Sequence, residues 1–424
     1  MSTRIWEGGA AAVAQVDTLT VGGTIETSDV FSITIGNKTL SVVGGSATAA
    51  TVAAAIVSAW NALSAEDYPE FAEITAAEGS GGTLTLTADV PGVPFTVSVA
   101  TTESGGGAAD DQTFGRAATV ANSGPKDWNT AANWSGGAVP VNSDDVIIDL
   151  PDVEILYGLA QSAVTLSSLK IVANQSLLIG LPRVNESGYP EYRDTYLAIG
   201  ATACTVEQRG SRSVTRLKLD TGSAQATLVV NGTGSEVGDE ADVPAMCWKG
   251  THASNAVTVN RGSLGIACLP GEVATAAAID IGYQSIVESD SYVWCGAGCT
   301  LTTVEKIGGN LRADASLTTL TQTGGNTTTR AAAAITTANI DGGTLYHESS
   351  GTITTANIGS GAALDLRRDM RSRTVTNANL YSGGAIYDPG KSVTWTNGID
   401  VLRAALTAVT LDIGSHLTIT PSAV

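Results

Sequence analysis

Apolar and polar positions change their period twice along this 424-residue chain. Phe31, Ile33 and Ile35 alternate with Ser32 and Thr34, the period of two expected of a half-buried strand. Val16 to Val21 has the same strand composition. Gly36-Asn37 permits a tight reversal into Thr39 to Val43, a hairpin signal. From Ser46 to Leu63 the period lengthens: Val52, Ile56, Trp60 and Leu63 fall four, four and three apart, which is one face of a helix. Thr83 to Thr87 and Phe95 to Val99 return to alternation around a Pro91-Gly92 turn. The order predicts a small α+β domain over 1–103, a ββαββ unit with one helix covering a sheet.

Residues 104–124 read as a linker, because Ser104 to Asp111 is glycine-rich and almost without apolar side chains. Trp128-Asn-Thr-Ala-Ala-Asn-Trp134 follows, then an acid-bounded strand from Asp144 to Asp149. A stack of β-coils must cover its first open edge, and large aromatics suit that place. From 125 to 300 the pattern is an irregular β-solenoid with an N-terminal cap. Short strands are expected at Ala163 to Val172, Leu177 to Gly180, Tyr196 to Ile199, Ala226 to Val230 and Ala256 to Val259. Pro182 to Thr195, with Tyr189 and Tyr192, is expected to project from the wall and carry contacts.

Residues 301–424 repeat themselves. Segments starting at Leu301, Leu317, Ile335, Ile353 and Val375 align, and a sixth start falls at Val393. The fullest copies are Ile335-Thr-Thr-Ala-Asn-Ile340 and Ile353-Thr-Thr-Ala-Asn-Ile358. A period of about 16 to 22 residues with a β-branched run, a Gly turn and a second short strand predicts one solenoid coil per repeat. Stacked coils lie about 4.8 Å apart, so Asn339, Asn357 and Asn379, at one offset in successive coils, should form an amide ladder. The fold class is therefore mainly β, a ββαββ domain followed by a β-helix.

Composition supports this and narrows the function. Aromatics are 5% of residues, charged residues 15%, and 48 residues are glycine. The formal net charge of −19 repels phosphate backbones and anionic headgroups, so neither nucleic acid nor membrane is expected as a partner. No apolar run approaches the ~18 residues of a membrane span, and Met1 to Gly9 lacks the features of a secretory signal. Five cysteines are an odd number, which argues against a disulfide framework and for synthesis in a reducing cytoplasm.

Catalytic chemistry finds little support. Cys295 and Cys299 lack a second ligand pair for zinc, and His252, His347 and His416 have no nucleophile partner in a recognisable motif. The paired acids Glu288/Asp290 and Asp365/Asp369 are the candidates for glycan hydrolysis, which needs two carboxyl groups about 5 to 9.5 Å apart. Arg367, Arg368, Arg371 and Arg373 are clustered in a chain with only 22 cations. They read as pairing Asp365, Asp369 or a neighbouring subunit's acids. No enzymatic activity, metal or cofactor is expected.

Arg4-Ile-Trp-Glu-Gly-Gly9, the ββαββ pattern, Trp128 to Trp134 and the Ile-Thr-Thr-Ala-Asn-Ile coils together resemble β-solenoid virion proteins of tailed bacteriophages. The resemblance implies a homotrimer on the virion surface, made in the host cytoplasm, with the small domain anchoring and the solenoid projecting. It implies a capsid decoration (cement) protein whose partner is the major capsid protein, or alternatively a receptor-binding tail fibre or tailspike, with or without glycan cleavage. Arg4, Trp6, Tyr189, Tyr192 and the four arginines 367, 368, 371 and 373 are the expected interface.

Overall fold

The computed structural model describes residues 2–103, 111–209, 214–234, 243–282, 291–402 and 408–414. Most of the chain is one long parallel sheet wound as a β-solenoid, with 26 strands among the described residues. Within the stack, strands pair with their counterparts one coil earlier and one coil later, while end strands have a partner on one side only. A single apolar core runs through the coils from Trp6 to Ile413, and no break falls at residue 300.

The repeat stacks as its pattern predicts. Leu301, Leu317, Ile335, Ile353 and Val375 lie in register and point inward. At the sixth coil the register differs: Trp395, two residues after Val393, sits over Val375. Val393 is buried as well, in register with Arg373, so the sixth coil closes two residues later than the 18-residue spacing to Val393 implies. The asparagine ladder forms. Asn357 Nδ2 donates to Asn339 Oδ1 at 2.7 Å, and Asn379 Nδ2 to Asn357 Oδ1 at 2.7 Å.

Strand β1 (Thr3–Ile5) is the first rung of the solenoid, pairing in parallel with Asp145–Ile147. Trp6 and Trp128 each pack edge-on to Trp134, at ring-centroid distances of 4.9 and 4.6 Å, and all three are buried. The cap therefore takes residues from both sides of the small domain, and the expected unit 1–103 begins only after Trp6.

That domain is more elaborate than ββαββ. β2 (Val16–Gly23), β5 (Ile74–Glu78), β6 (Thr83–Ala88) and β8 (Gln112–Val120) form one antiparallel sheet in the order β5-β6-β2-β8. β3 (Val30–Ile35), β4 (Lys38–Val43) and β7 (Val97–Thr102) form a second, in the order β4-β3-β7. The β3–β4 hairpin turns at Gly36-Asn37 as expected, with Gly36 at φ +60°. α1 (Ala49–Asn61) buries Val52, Ile56 and Trp60 against both sheets. The expected linker is corrected in part: β8 lies within 104–124 and lines the edge of β2, because an unpaired β2 edge would leave backbone groups open. The glycine-rich stretch 104–110 falls outside the described residues.

Polar side chains also enter the solenoid core, at corners where carbonyls leave the ladder and need donors. Lys306, 1% exposed, donates from Nζ to the carbonyls of Gly309 (2.7 Å) and Gly324 (2.8 Å). Gln322 does the same one coil on, to Gly325 and Gly342 at 3.0 Å. His347, fully buried, contacts Thr329 Oγ1 at 2.6 Å through Nδ1 and the Gly351 carbonyl at 2.9 Å through Nε2. A carbonyl only accepts, so Nε2 carries the proton and Nδ1 accepts from the threonine.

Burial, aided by the nearby Arg373 charge, pushes the His347 pKa down to about 4 against the opposing Gly351 hydrogen bond. The unfolded chain then binds this proton more readily than the folded one between about pH 6.5 and 4. Stability at neutral pH is lost on acidification through that window, by about 3 kcal/mol at pH 4. Urea denaturation at pH 7, 5.5 and 4.5 should show this fall, and His347→Thr, matching Thr329 one coil earlier, should flatten it. An unchanged pH slope in the variant would assign the loss to other groups.

Candidate functional site

The residues expected to touch a partner divide once placed in the fold. Arg4 pairs with the buried Asp144 at 3.4 Å and donates to the Ser135 carbonyl. Burial alone would raise the Asp144 pKa, but the Ser2 and Val141 backbone N–H groups and Arg4 more than offset it and hold the carboxyl low. Trp6 is 2% exposed within the cap. Both residues are therefore structural, a correction that follows from β1 belonging to the first coil.

Tyr189 and Tyr192 are corrected in the same way. The insertion folds back onto the small domain instead of projecting free. Tyr189 is buried and stacks on Tyr192, which packs against the domain's core. Arg193 pairs with Glu191 at 2.7 Å and Glu73 at 3.6 Å and lies over the Tyr192 ring. The solenoid continues unbroken beneath: Ile179 before the insertion and Leu197 after it stack on Leu217 and Leu219 of one later strand. The insertion is a bracket that fixes the domain against the wall.

The arginine cluster stays at the surface, except for one member. Arg367 chelates Asp365 (2.6 Å for the shortest contact) and lies 4.2 Å from the Tyr387 ring centroid. Arg368 lies 3.3 Å from the Tyr346 centroid and pairs with Glu348 at 3.6 Å. Arg371 chelates Asp369 at 2.5 Å and reaches the Glu348 carbonyl. Arg373 is 2% exposed and donates to the carbonyls of Arg371, His347 and Asp369. It is removed from the expected interface because a guanidinium with three carbonyls around it staples the corner from inside.

Cross-coil register extends this patch into a stripe. Trp294, Arg312, Thr328, Tyr346, Asp365, Tyr387 and Asp412 succeed one another along one outward column. Arg312 lies 4.0 Å from the Trp294 centroid and pairs with Asp314, which also accepts from Trp294 Nε1 at 2.8 Å. Beside Trp294 opens a cleft of about 480 Å³ whose wall includes Arg183, Glu272 and Asp314. Sequence reading found the arginines but missed Trp294, Arg312, Tyr346 and Tyr387, because unequal coil lengths hide their alignment. Met370, 64% exposed, stands among the arginines.

Among the described residues, the candidate acids Asp365 and Asp369 are committed to arginines. Burial would raise Asp365, but hydrogen bonds and charge from Arg367 dominate and lower it. The Arg371 hydrogen bond brings Asp369 to about 2. Carboxyl groups held ionised in this way cannot donate the proton that glycoside cleavage requires. Glu288, Asp290 and His416 lie outside the described residues.

Stacking brings one acid pair together that the sequence did not suggest, Asp280 and Glu305 in adjacent coils. Burial first, and Glu305 second, raises Asp280. The same outward column holds Thr258, Thr321 and Asn339, none of them aromatic.

Three of the five thiols, Cys204, Cys247 and Cys295, are buried and held in the protonated form. Burial pushes Cys204 up to about 12, and the mutual contacts of Cys247 with Cys268 (Sγ–Sγ 3.7 Å) and of Cys295 with Cys299 raise the first member of each pair. No helix among the described residues is long and apolar enough to cross a membrane.

No family model, curated protein or solved structure matches this chain.

Proposed function

We propose that this chain is a virion structural protein of a tailed bacteriophage, a capsid decoration protein that acts by contact and not by catalysis. The observation that carries the contact reading is the outward stripe of arginines set over the rings of Trp294, Tyr346 and Tyr387 with their charges met by Asp314, Asp365 and Glu348. Arg, Tyr, Trp and Met are the residues that protein interfaces favour at their centres. Guanidinium groups already held by a ring and a carboxylate lose little freedom on docking. The phage setting rests on the resemblance of Arg4–Gly9, the Trp128–Trp134 segment and the Thr-Thr-Ala-Asn coils. A homotrimer presenting three such stripes to the major capsid protein would multiply a modest single contact into firm attachment.

The Trp294 cleft favours a second reading, a tailspike that binds glycan, since an aromatic face beside carboxylates and an arginine suits a sugar ring. Co-sedimentation of the full chain with undecorated shells separates the two. We expect saturable binding to shells, weakened at least tenfold by Arg368→Ala with Met370→Asp, while the circular dichroism of that variant matches the parent. Binding to tails alone, or release of reducing ends from host polysaccharide, would overturn the decoration reading.

A further inference from the structure

We infer that the small domain contains a calcium site formed by Glu26, Asp29 and Glu103. Each of these residues offers one carboxylate oxygen, and the three oxygens lie within 4.8 Å of one another. The juxtaposition is built by strand pairing. Val30 at the start of β3 lies opposite Thr102 at the end of β7 in antiparallel register, so Asp29 and Glu103 flank the same end of the sheet. Like charges facing each other at a strand end oppose that pairing. Glu26 is brought in by the turn before β3, where its N–H donates to Asp29 Oδ2 at 2.7 Å and its carbonyl accepts from Asp29 N–H at 3.2 Å.

Asp29 itself points to a ligand. It is 0% exposed, and while Oδ2 is satisfied by the Glu26 N–H, the buried Oδ1 has no hydrogen-bond partner. A carboxylate oxygen shut away from water and from donors must meet a proton or a cation. Two further carboxylates beside it favour the cation, since their negative potential concentrates positive charge at the point where the three oxygens converge.

The donor set selects the kind of cation. It is all oxygen, without the nitrogen or sulfur ligands that zinc prefers. One ligand, Asp29, is buried just ahead of β3, while Glu26 is exposed and Glu103 half-buried. Such a mixed set accommodates the loose, high-coordination shell of Ca²⁺ better than the strict octahedron of Mg²⁺, and water fills the remaining positions. A bound ion would tie the turn before β3 to the end of β7. It would also replace the expectation, drawn from the cysteines and histidines alone, that the chain takes no metal.

The test uses the full chain freed of metal with chelator and titrated with CaCl₂ by calorimetry, alongside thermal unfolding with and without Ca²⁺. We expect one equivalent bound per chain and an upward shift of the unfolding midpoint. Glu26→Gln, an exposed change that should leave the fold intact, is expected to weaken binding at least tenfold, and Asp29→Asn to abolish both heat and shift. No saturable heat with the parent chain, or equal binding by the parent and the Glu26→Gln variant, would overturn the site. So would an Asp29→Asn chain whose midpoint still responds to Ca²⁺ as the parent's does, because the response would then come from elsewhere.

Discussion

Replacing Trp134 by alanine is expected to destabilise the protein by about 4 kcal/mol, the range seen when a buried tryptophan is truncated. Trp134 is 1% exposed and touches both Trp6 and Trp128 edge-on, so its removal empties the centre of the cap. It also deletes the hydrogen bond from Trp134 Nε1 to the Trp128 carbonyl, 2.8 Å long, leaving that carbonyl without this donor. The consequence extends beyond one cavity. Trp6 bridges to Trp134 through the backbone, and β1 immediately before it closes the edge of the first coil. Loss of the cap should therefore free β1 and expose a strand edge to other chains. Denaturant titration measures the first effect, and light scattering after mild heating the second. Trp134→Phe, which keeps a ring in place, should lose less than half as much. A loss under about 1 kcal/mol for Trp134→Ala would mean the cap contributes little to the solenoid.

Gly343→Ala is expected to cost about 3 kcal/mol or more, against about 1 kcal/mol for Gly361→Ala. Both glycines have positive φ, +70° and +74°, so both alanines carry the same left-handed strain. Their surroundings differ. A Cβ on Gly343 would run into the carbonyl oxygen of Gly325, one coil below, whereas one on Gly361 meets nothing within 4 Å. The Gly325 carbonyl cannot yield freely, because it accepts from Thr344 N–H at 3.1 Å and from the buried Gln322 Nε2 at 3.0 Å. Pushing it aside breaks the contact between two coils and leaves an amide donor in the core. Comparing the unfolding midpoints of the two variants isolates the stacking contribution from backbone strain. Equal losses would show that the coils are not packed closely at this corner.

The coils were legible because their signal is local. A run such as Ile353-Thr-Thr-Ala-Asn-Ile358 shows its inward residues by period and its corner by the glycines that follow. The asparagine ladder needed only one further step, the same offset in successive repeats. The small domain was legible as elements but not as sheets. β2 takes β8 as a partner, roughly a hundred residues away, and nothing in the alternation of Val16 to Val21 names that partner. Trp6 and Tyr189, expected at a surface, are buried, because a large aromatic reads alike whether it caps a core or meets another chain.

The sequence by itself determined that this chain forms β-coils, where most of them turn and which side chains line their interior, since period and turn chemistry depend on neighbours along the chain. Tertiary structure alone decided which outward residues share a column. Trp294 and Arg312, Tyr346 and Asp365, and Asp280 and Glu305 meet only because coils of unequal length come into register. The oxygens of Glu26, Asp29 and Glu103 converge for a related reason, the pairing of β3 with β7. Side-chain chemistry is written residue by residue, but the distance between two side chains in different coils or strands is set by how the backbone ladders close.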